Sequence, residues 1–266
     1  MNRNFLIAEI KRKKTLLCVG LDTDIEKIPP HLKALPDAAF EFNKQIIDAT
    51  SDFCVAYKIN TAFYESQGVK GWESLEKTVN YIPDTHFKIA DAKRGDIGNT
   101  SDQYAKAFFE AIPFDAITVA PYMGSDSIRP FLNYSNKWTI VLGLTSNKGS
   151  EDFQQQQIGN HFLYEEVIRK TSQWGTPENL MFVVGATKAA ELSSIRKIIP
   201  SHFLLVPGVG AQGGSLSEVC KYGLTEDGGL LINASRAIIY TGHDENFSKE
   251  AAKAARQYQL EMQQYL

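Results

Sequence analysis

Asp91, Lys93 and Asp96 fall within the stretch His86-Phe-Lys-Ile-Ala-Asp-Ala-Lys-Arg-Gly-Asp-Ile-Gly-Asn-Thr100. The stretch opens with a short apolar run that reads as a buried strand. Side chains along a strand repeat every two residues, so Asp91 and Lys93 share a face. Opposite charges on the inner face of a buried strand are costly to desolvate unless they are paired or used. One reading is a structural ion pair at a strand end; the other is a working charge cluster. Four charged residues, Asp91, Lys93, Arg94 and Asp96, crowd one strand exit. Gly95 and Gly98 let the backbone turn sharply there, and the crowding favours the working cluster.

A second group suited to chemistry follows a later apolar run, in Val206-Pro-Gly-Val-Gly-Ala-Gln-Gly-Gly214. Glycines at 208, 210, 213 and 214 would let backbone N–H groups approach an anion, although a flexible glycine turn has the same composition. Downstream, Asn233-Ala-Ser-Arg236 delivers a guanidinium. Arginine suits phosphate because its planar fork donates two hydrogen bonds at once. The combination predicts a phosphate grip at one end of a site and an Asp/Lys cluster at the other. A phosphorylated anion with its reacting carbon over the cluster would fit.

Stepping outward to the elements, a short apolar strand, a polar loop and an amphipathic helix recur along the chain. The strands fall at 16–21, 54–60, 86–92, 116–122, 138–145, 180–186, 202–209 and 229–235. Helical stretches fill the gaps at 40–50, 161–174, 188–198 and 245–264. A short amphipathic helix, about 2–14, leads into the first strand. The helix after the charged motif is expected to begin near Thr100-Ser101-Asp102, whose oxygens would cap it. It would carry Tyr104, Phe108 and Ile112 on one face. Near-continuous apolar strands imply a parallel sheet buried on both faces. Eight units predict closure into a single-domain α/β (β/α)8 barrel over residues 1–266, with a doubly wound open sheet as the alternative. In a barrel the C-terminal strand ends carry chemistry, and phosphate commonly sits after strands seven and eight. Asp22, Lys58, Asp91, Lys93, Thr145, Ser146, Gln212 and Arg236 all fall at such ends. The polar segment 146–160, with Gln154 to Gln157, reads as an insertion whose first residues touch substrate.

The chain has 266 residues, 43% hydrophobic, with a net charge of −3, so neither nucleic acid nor an anionic membrane is an expected partner. No apolar run approaches a membrane span. The basic cluster Lys11 to Lys14 follows the first apolar run instead of preceding it, unlike a signal peptide, and the cytoplasm is the expected compartment. Cys18, Cys54 and Cys220 read as buried thiols, and the five histidines lack metal-ligand spacing. No dinucleotide fingerprint follows the first strand, which disfavours hydride transfer.

The pattern Asp91-x-Lys93-x-x-Asp96-Ile97-x-Asn99-Thr100 resembles the signature of the orotidine 5'-phosphate decarboxylase family. The wording Asp-Ala-Lys-Arg-Gly-Asp-Ile-Gly-Asn-Thr is similar to its longer bacterial subgroup (type 2). With Asp22, Lys58, the glycine loop and Arg236, the resemblance spans strand one to strand eight. It implies conversion of orotidine 5'-monophosphate to uridine 5'-monophosphate and CO2 without metal or organic cofactor. Lys93 would protonate the pyrimidine carbon, Asp91 would sit beside the departing carboxylate, and Lys58 and Asp96 would complete a Lys-Asp-Lys-Asp array. Asp22 and Lys58 would bind ribose hydroxyls. Ser146, or alternatively Thr145, would meet the pyrimidine edge. Gln212 and Arg236, with the loop glycines Gly210 and Gly213, would hold the phosphate. Asp96 and Thr100 would come from the neighbouring subunit of a homodimer. Two alternatives stay open: a magnesium-dependent aldolase resembling hexulose-phosphate synthase, and a non-catalytic nucleotide-binding barrel.

Overall fold

In the computed structural model, which describes residues 1–210 and 213–266, eight parallel strands close into a barrel. They are β1 (Leu17–Gly20), β2 (Ala56–Asn60), β3 (Phe87–Arg94), β4 (Ala116–Val119), β5 (Trp138–Leu144), β6 (Leu180–Val184), β7 (Leu204–Pro207) and β8 (Leu230–Ala234). Each strand pairs with its sequence neighbours. The ring closes where Leu17, Cys18 and Val19 of β1 meet Ile232, Asn233 and Ala234 of β8. The open-sheet alternative is therefore excluded. Every residue of β1, β4, β6 and β8 is buried. Helices cover the outer face and side chains fill the inside, which is why these strands read as unbroken apolar runs.

Helices between the strands bury one face each. Ala38–Thr50 starts at Asp37, whose carboxylate accepts the Phe40 N–H at 3.2 Å. The same carboxylate accepts from Ser74 Oγ at 2.6 Å and pairs with Lys77 at 2.8 Å, tying this helix to the next, Val69–Tyr81. Phe247–Met262 packs back across Ala38–Thr50 and closes the outer ring.

The N-terminal helix, Arg3–Lys13, lies under the barrel. Its basic residues Arg3 and Lys13 are structural. The Lys13 ammonium donates to the carbonyls of Ser51 (2.7 Å) and Cys54 (2.8 Å). Arg3 donates to the carbonyls of Pro177 and Ser201 and lies over the Phe203 ring, 5.0 Å from its centre. These bonds replace the water that buried charges lose.

Two expectations are corrected. The helix after the charged motif begins at Gly98, not near Thr100, and no side chain caps it. The Ser101 hydroxyl is engaged elsewhere, donating to the carbonyls of Asp96 (2.7 Å) and Ser127 (3.0 Å). That helix also ends at Lys106 and passes into a π-turn, Ala107–Ala111. The wider turn rotates the following residues, so Phe108 and Phe109 are both buried where strict four-residue spacing would bury one.

The 146–160 segment is not a bare loop. It holds a one-turn helix, Ser150–Phe153, and leads into an antiparallel pair, Gln157–Ile158 with His161–Phe162. The Gln154 amide anchors it: Oε1 accepts the Thr145 N–H at 2.8 Å and Nε2 donates to Thr145 Oγ1 at 2.9 Å.

Candidate active site

The charged strand β3 ends at the barrel mouth, where it forms a chain of ion pairs. Lys58 stands on β2, four per cent exposed. Its ammonium lies 2.9 Å from Asp91 Oδ2 and 3.2 Å from Asp22 Oδ1. Lys93 Nζ approaches Asp91 Oδ1 at 2.6 Å. Asp22, just past β1, is steadied by Tyr240, whose hydroxyl donates to the Asp22 carbonyl (2.9 Å) and accepts the Asp24 N–H (2.7 Å).

Asp91 and Lys93 do face one another, though not by plain alternation. The β3–β4 ladder shifts register between Ala90 and Arg94, and Lys93 takes a left-handed conformation with φ +48°. Such a backbone is uncommon for a side chain of this length. Arg94 bonds the Glu65 carboxylate, beyond β2, and lies over the rings of Tyr104 and Phe108. That contact ties the far side of the bulge to the outer helices.

Burial opposes ionisation of both central groups, and their neighbours outweigh it. For Asp91, desolvation pushes the carboxyl up, but the ammonium groups of Lys58 and Lys93 hold it well below the usual carboxylate range. For Lys58, desolvation pushes down, while Asp22 and Asp91 raise it above the usual lysine range. Asp91 and Lys58 are therefore both ionised near neutrality, each sign sustaining the other.

The cavity above the array holds about 350 Å³ and is lined by Asp22, Lys58, Asp91, Lys93, Ser146 and Arg236, among others. A cavity of that size suits a small molecule. Arg236 is exposed at the start of a short helix after β8, and among the described residues no carboxylate pairs with it. Thr145 also lines this cavity, but the Gln154 amide occupies both its N–H and its hydroxyl. Ser146 stands next to it on the wall.

The glycine loop is placed differently from its sequence reading. Gly208 and Val209 line the cavity, while Gly210 faces a separate hollow beside Tyr258. The N–H of Gly210 donates to the Gly214 carbonyl and that of Gly213 to the Gly210 carbonyl. Both bonds stay within the loop, and Gly210 and Gly213 have positive φ. Gln212 lies outside the described residues.

Asp96 and Thr100 are not on the cavity wall. The Asp96 carboxylate accepts the N–H of Ile97, and Thr100 is exposed in the first helical turn. Exposed Ile97, Tyr122 and Met123 lie on the neighbouring loops.

Sequence reasoning passed over three residues. Thr118 of β4 accepts the Lys93 N–H at 2.9 Å and donates to Asp91 Oδ1 at 3.1 Å. Asn233 is buried in the cavity wall. Tyr240 has the role given above. Thr118 carried a signal, being polar inside the apolar run Ala116-Ile-Thr-Val119; Tyr240 carried none.

Comparison with known proteins identifies the family. Residues 15–254 match the family model described as orotidine 5'-phosphate decarboxylase / HUMPS. This chain belongs to the orotidine 5'-phosphate decarboxylase / HUMPS family. It is 58% identical over 270 residues to the orotidine 5'-phosphate decarboxylase of Bacteroides fragilis, covering 100% of this chain and 98% of the other. Among solved structures, Leishmania donovani OMP decarboxylase superposes with a TM-score of 0.82 at 36% identity, covering 98% of this chain and 99% of that one. Leishmania donovani UMP synthase superposes with a TM-score of 0.83 at 39% identity; the match covers 96% of this chain and 56% of that chain.

Proposed function

We propose that the chain is an orotidine 5'-phosphate decarboxylase, releasing CO2 from orotidine 5'-monophosphate to leave uridine 5'-monophosphate. The observation that carries the reading is one cavity with the Lys58–Asp91–Lys93 array and Arg236 on its walls, in a chain 58% identical over its length to a curated decarboxylase.

As the bond from the pyrimidine ring to the carboxylate breaks, its electron pair stays on the ring carbon. The Lys93 ammonium stabilises that developing negative charge and then donates its proton to the carbon. Solvent returns a proton to the amine. Asp91 stands beside the departing carboxylate and favours its loss as neutral CO2. Lys58 neutralises Asp91 from the other side and, with Asp22, meets the ribose hydroxyls. Ser146 contacts the pyrimidine edge. Arg236 holds the phosphate, a role Gln212 would share. Binding energy gained there, far from the reacting carbon, lowers the barrier at the other end.

Asp96 and Thr100 serve the neighbouring site of a homodimer. Two observations support this: both lie off their own cavity wall, and exposed Ile97, Tyr122 and Met123, on the loops after β3 and β4, put apolar surface at the same end of the barrel. No helix among the described residues is long and apolar enough to cross a membrane. The cytoplasm, where a soluble nucleotide substrate would be met, is the compartment we assign.

The test is loss of orotidine-monophosphate absorbance with purified protein in EDTA. Sustained turnover is expected. No absorbance change with or without EDTA, beside magnesium-dependent turnover of a sugar phosphate, would point to the aldolase reading instead.

A further inference from the structure

We propose that Thr118 is a positioning residue that sets Asp91 and Lys93 in their reacting geometry. The inference rests on the roles assigned to those two groups above. The register shift between β3 and β4 leaves the Lys93 N–H without a strand carbonyl to meet. A buried N–H without a partner is costly. The Thr118 hydroxyl, one per cent exposed, accepts that N–H at 2.9 Å. Having accepted there, it has a single proton to give, and it donates it to Asp91 Oδ1 at 3.1 Å.

One hydroxyl therefore fixes two things. It holds the left-handed backbone at Lys93, from which the ammonium is aimed. It also limits rotation of the Asp91 carboxylate, which takes Lys58 on Oδ2 and both Lys93 and Thr118 on Oδ1. Lys93 Nζ alone would allow the pair to swing together, since its side chain is half exposed. A bond from the neighbouring strand removes that freedom.

Thr139 on β5 supplies the contrast. It is also a fully buried strand threonine, yet its hydroxyl has no hydrogen-bond partner among the described residues. A buried threonine in this barrel is thus not bound to bridge anything; the bridging at 118 is particular to the bulge.

Thr118→Val keeps the branched shape and removes the hydroxyl. Orientation of reacting groups is felt in kcat more than in substrate affinity, which the phosphate end supplies. Thr118→Val is expected to lower kcat by about 10- to 100-fold, with KM changed by less than about threefold. Thr118→Ser should recover most of the loss, and Thr139→Val should leave kcat within about twofold of the parent. Thr118→Ala, which also lacks the hydroxyl, should match valine and serves if valine folds poorly. Unchanged kcat in both hydroxyl-free variants, or a serine variant as slow as valine, would overturn the proposal. Lys93→Ala is measured alongside. If it turns over normally, the array's assigned role fails; if it is inactive while Thr118→Val runs at full speed, only the bridging role fails.

Discussion

At the residue scale, the candidate site holds unlike charges buried next to each other. Neither Lys58 nor Asp91 would remain ionised alone in so dry a place. Together they hold Lys93 over the cavity with a carboxylate fixed beneath it. Lys93→Ala should therefore lower turnover by at least about 10³-fold, since it removes both the proton and the charge opposite the carbanion. The nucleotide should still bind, because Arg236 and the ribose contacts remain. Equilibrium binding of uridine monophosphate and single-turnover kinetics would check both halves. Near-parental turnover would reject the role given to the lysine. The identities of these residues were legible from Asp91-x-Lys93-x-x-Asp96, because charges on an apolar strand are anomalous. The bulge that aims Lys93 was not legible, since no turn residue in Asp-Ala-Lys-Arg announces a left-handed lysine.

At the element scale, strand ends must approach each other closely for loops of different strands to share one cavity. Gly185, just past β6, shows how closely. A Cβ built there would lie 2.7 Å from Ser146 Cβ and 2.8 Å from the Ser146 backbone nitrogen. Neither atom can give way without moving the cavity wall. Gly185→Ala should displace Ser146 and reduce kcat/KM by about 10- to 100-fold. Its helices are untouched, so the fold should survive; far-ultraviolet circular dichroism alongside steady-state kinetics separates the two effects. Parental kinetics in a folded variant would show that Ser146 does not depend on this contact. Similar reasoning accounts for the misjudged start of the Gly98–Lys106 helix. Thr100, Ser101 and Asp102 have capping chemistry, but the Ser101 hydroxyl is claimed by the carbonyls of Asp96 and Ser127, and the second of those comes from a distant segment.

At the scale of the whole molecule, the floor of the barrel sets acid stability. His86 and His202 are buried there, and both are held down to a pKa of about 4. Burial is the larger cause in each; Lys13 adds to it for His86, and Arg3 and Arg196 for His202. Unfolded histidine titrates near about 6.5, so the unfolded chain takes up protons first as pH falls. Stability from both groups is complete above about pH 6.5 and is lost between there and about pH 4, at up to about 1.4 kcal/mol per pH unit for each. The melting temperature should fall across that window. His202→Phe should blunt the fall, because neither ring nitrogen of His202 has a hydrogen-bond partner among the described residues. An equally acid-sensitive variant would remove His202 from the account. Assembly is tested at the same scale. If Asp96 serves the partner's cavity, mixing inactive Lys93→Ala and Asp96→Ala proteins should regenerate about a quarter of the sites, one intact site in each mixed dimer. No recovery after subunit exchange would place Asp96 in its own subunit's chemistry.

Read alone, the chain specified the barrel and the charged residues at its strand exits. Repeated apolar strands can be satisfied only by a sheet covered on both sides, and ionic residues at their exits contradict that burial unless they are used. Tertiary structure decided what depends on residues distant in sequence. The Thr118 bridge, the Tyr240 contact at Asp22 and the Gln154 anchor each require knowing which loop lies against which. A side chain's type restricts what it can bond, but only the closed barrel determines which partner arrives within hydrogen-bond reach.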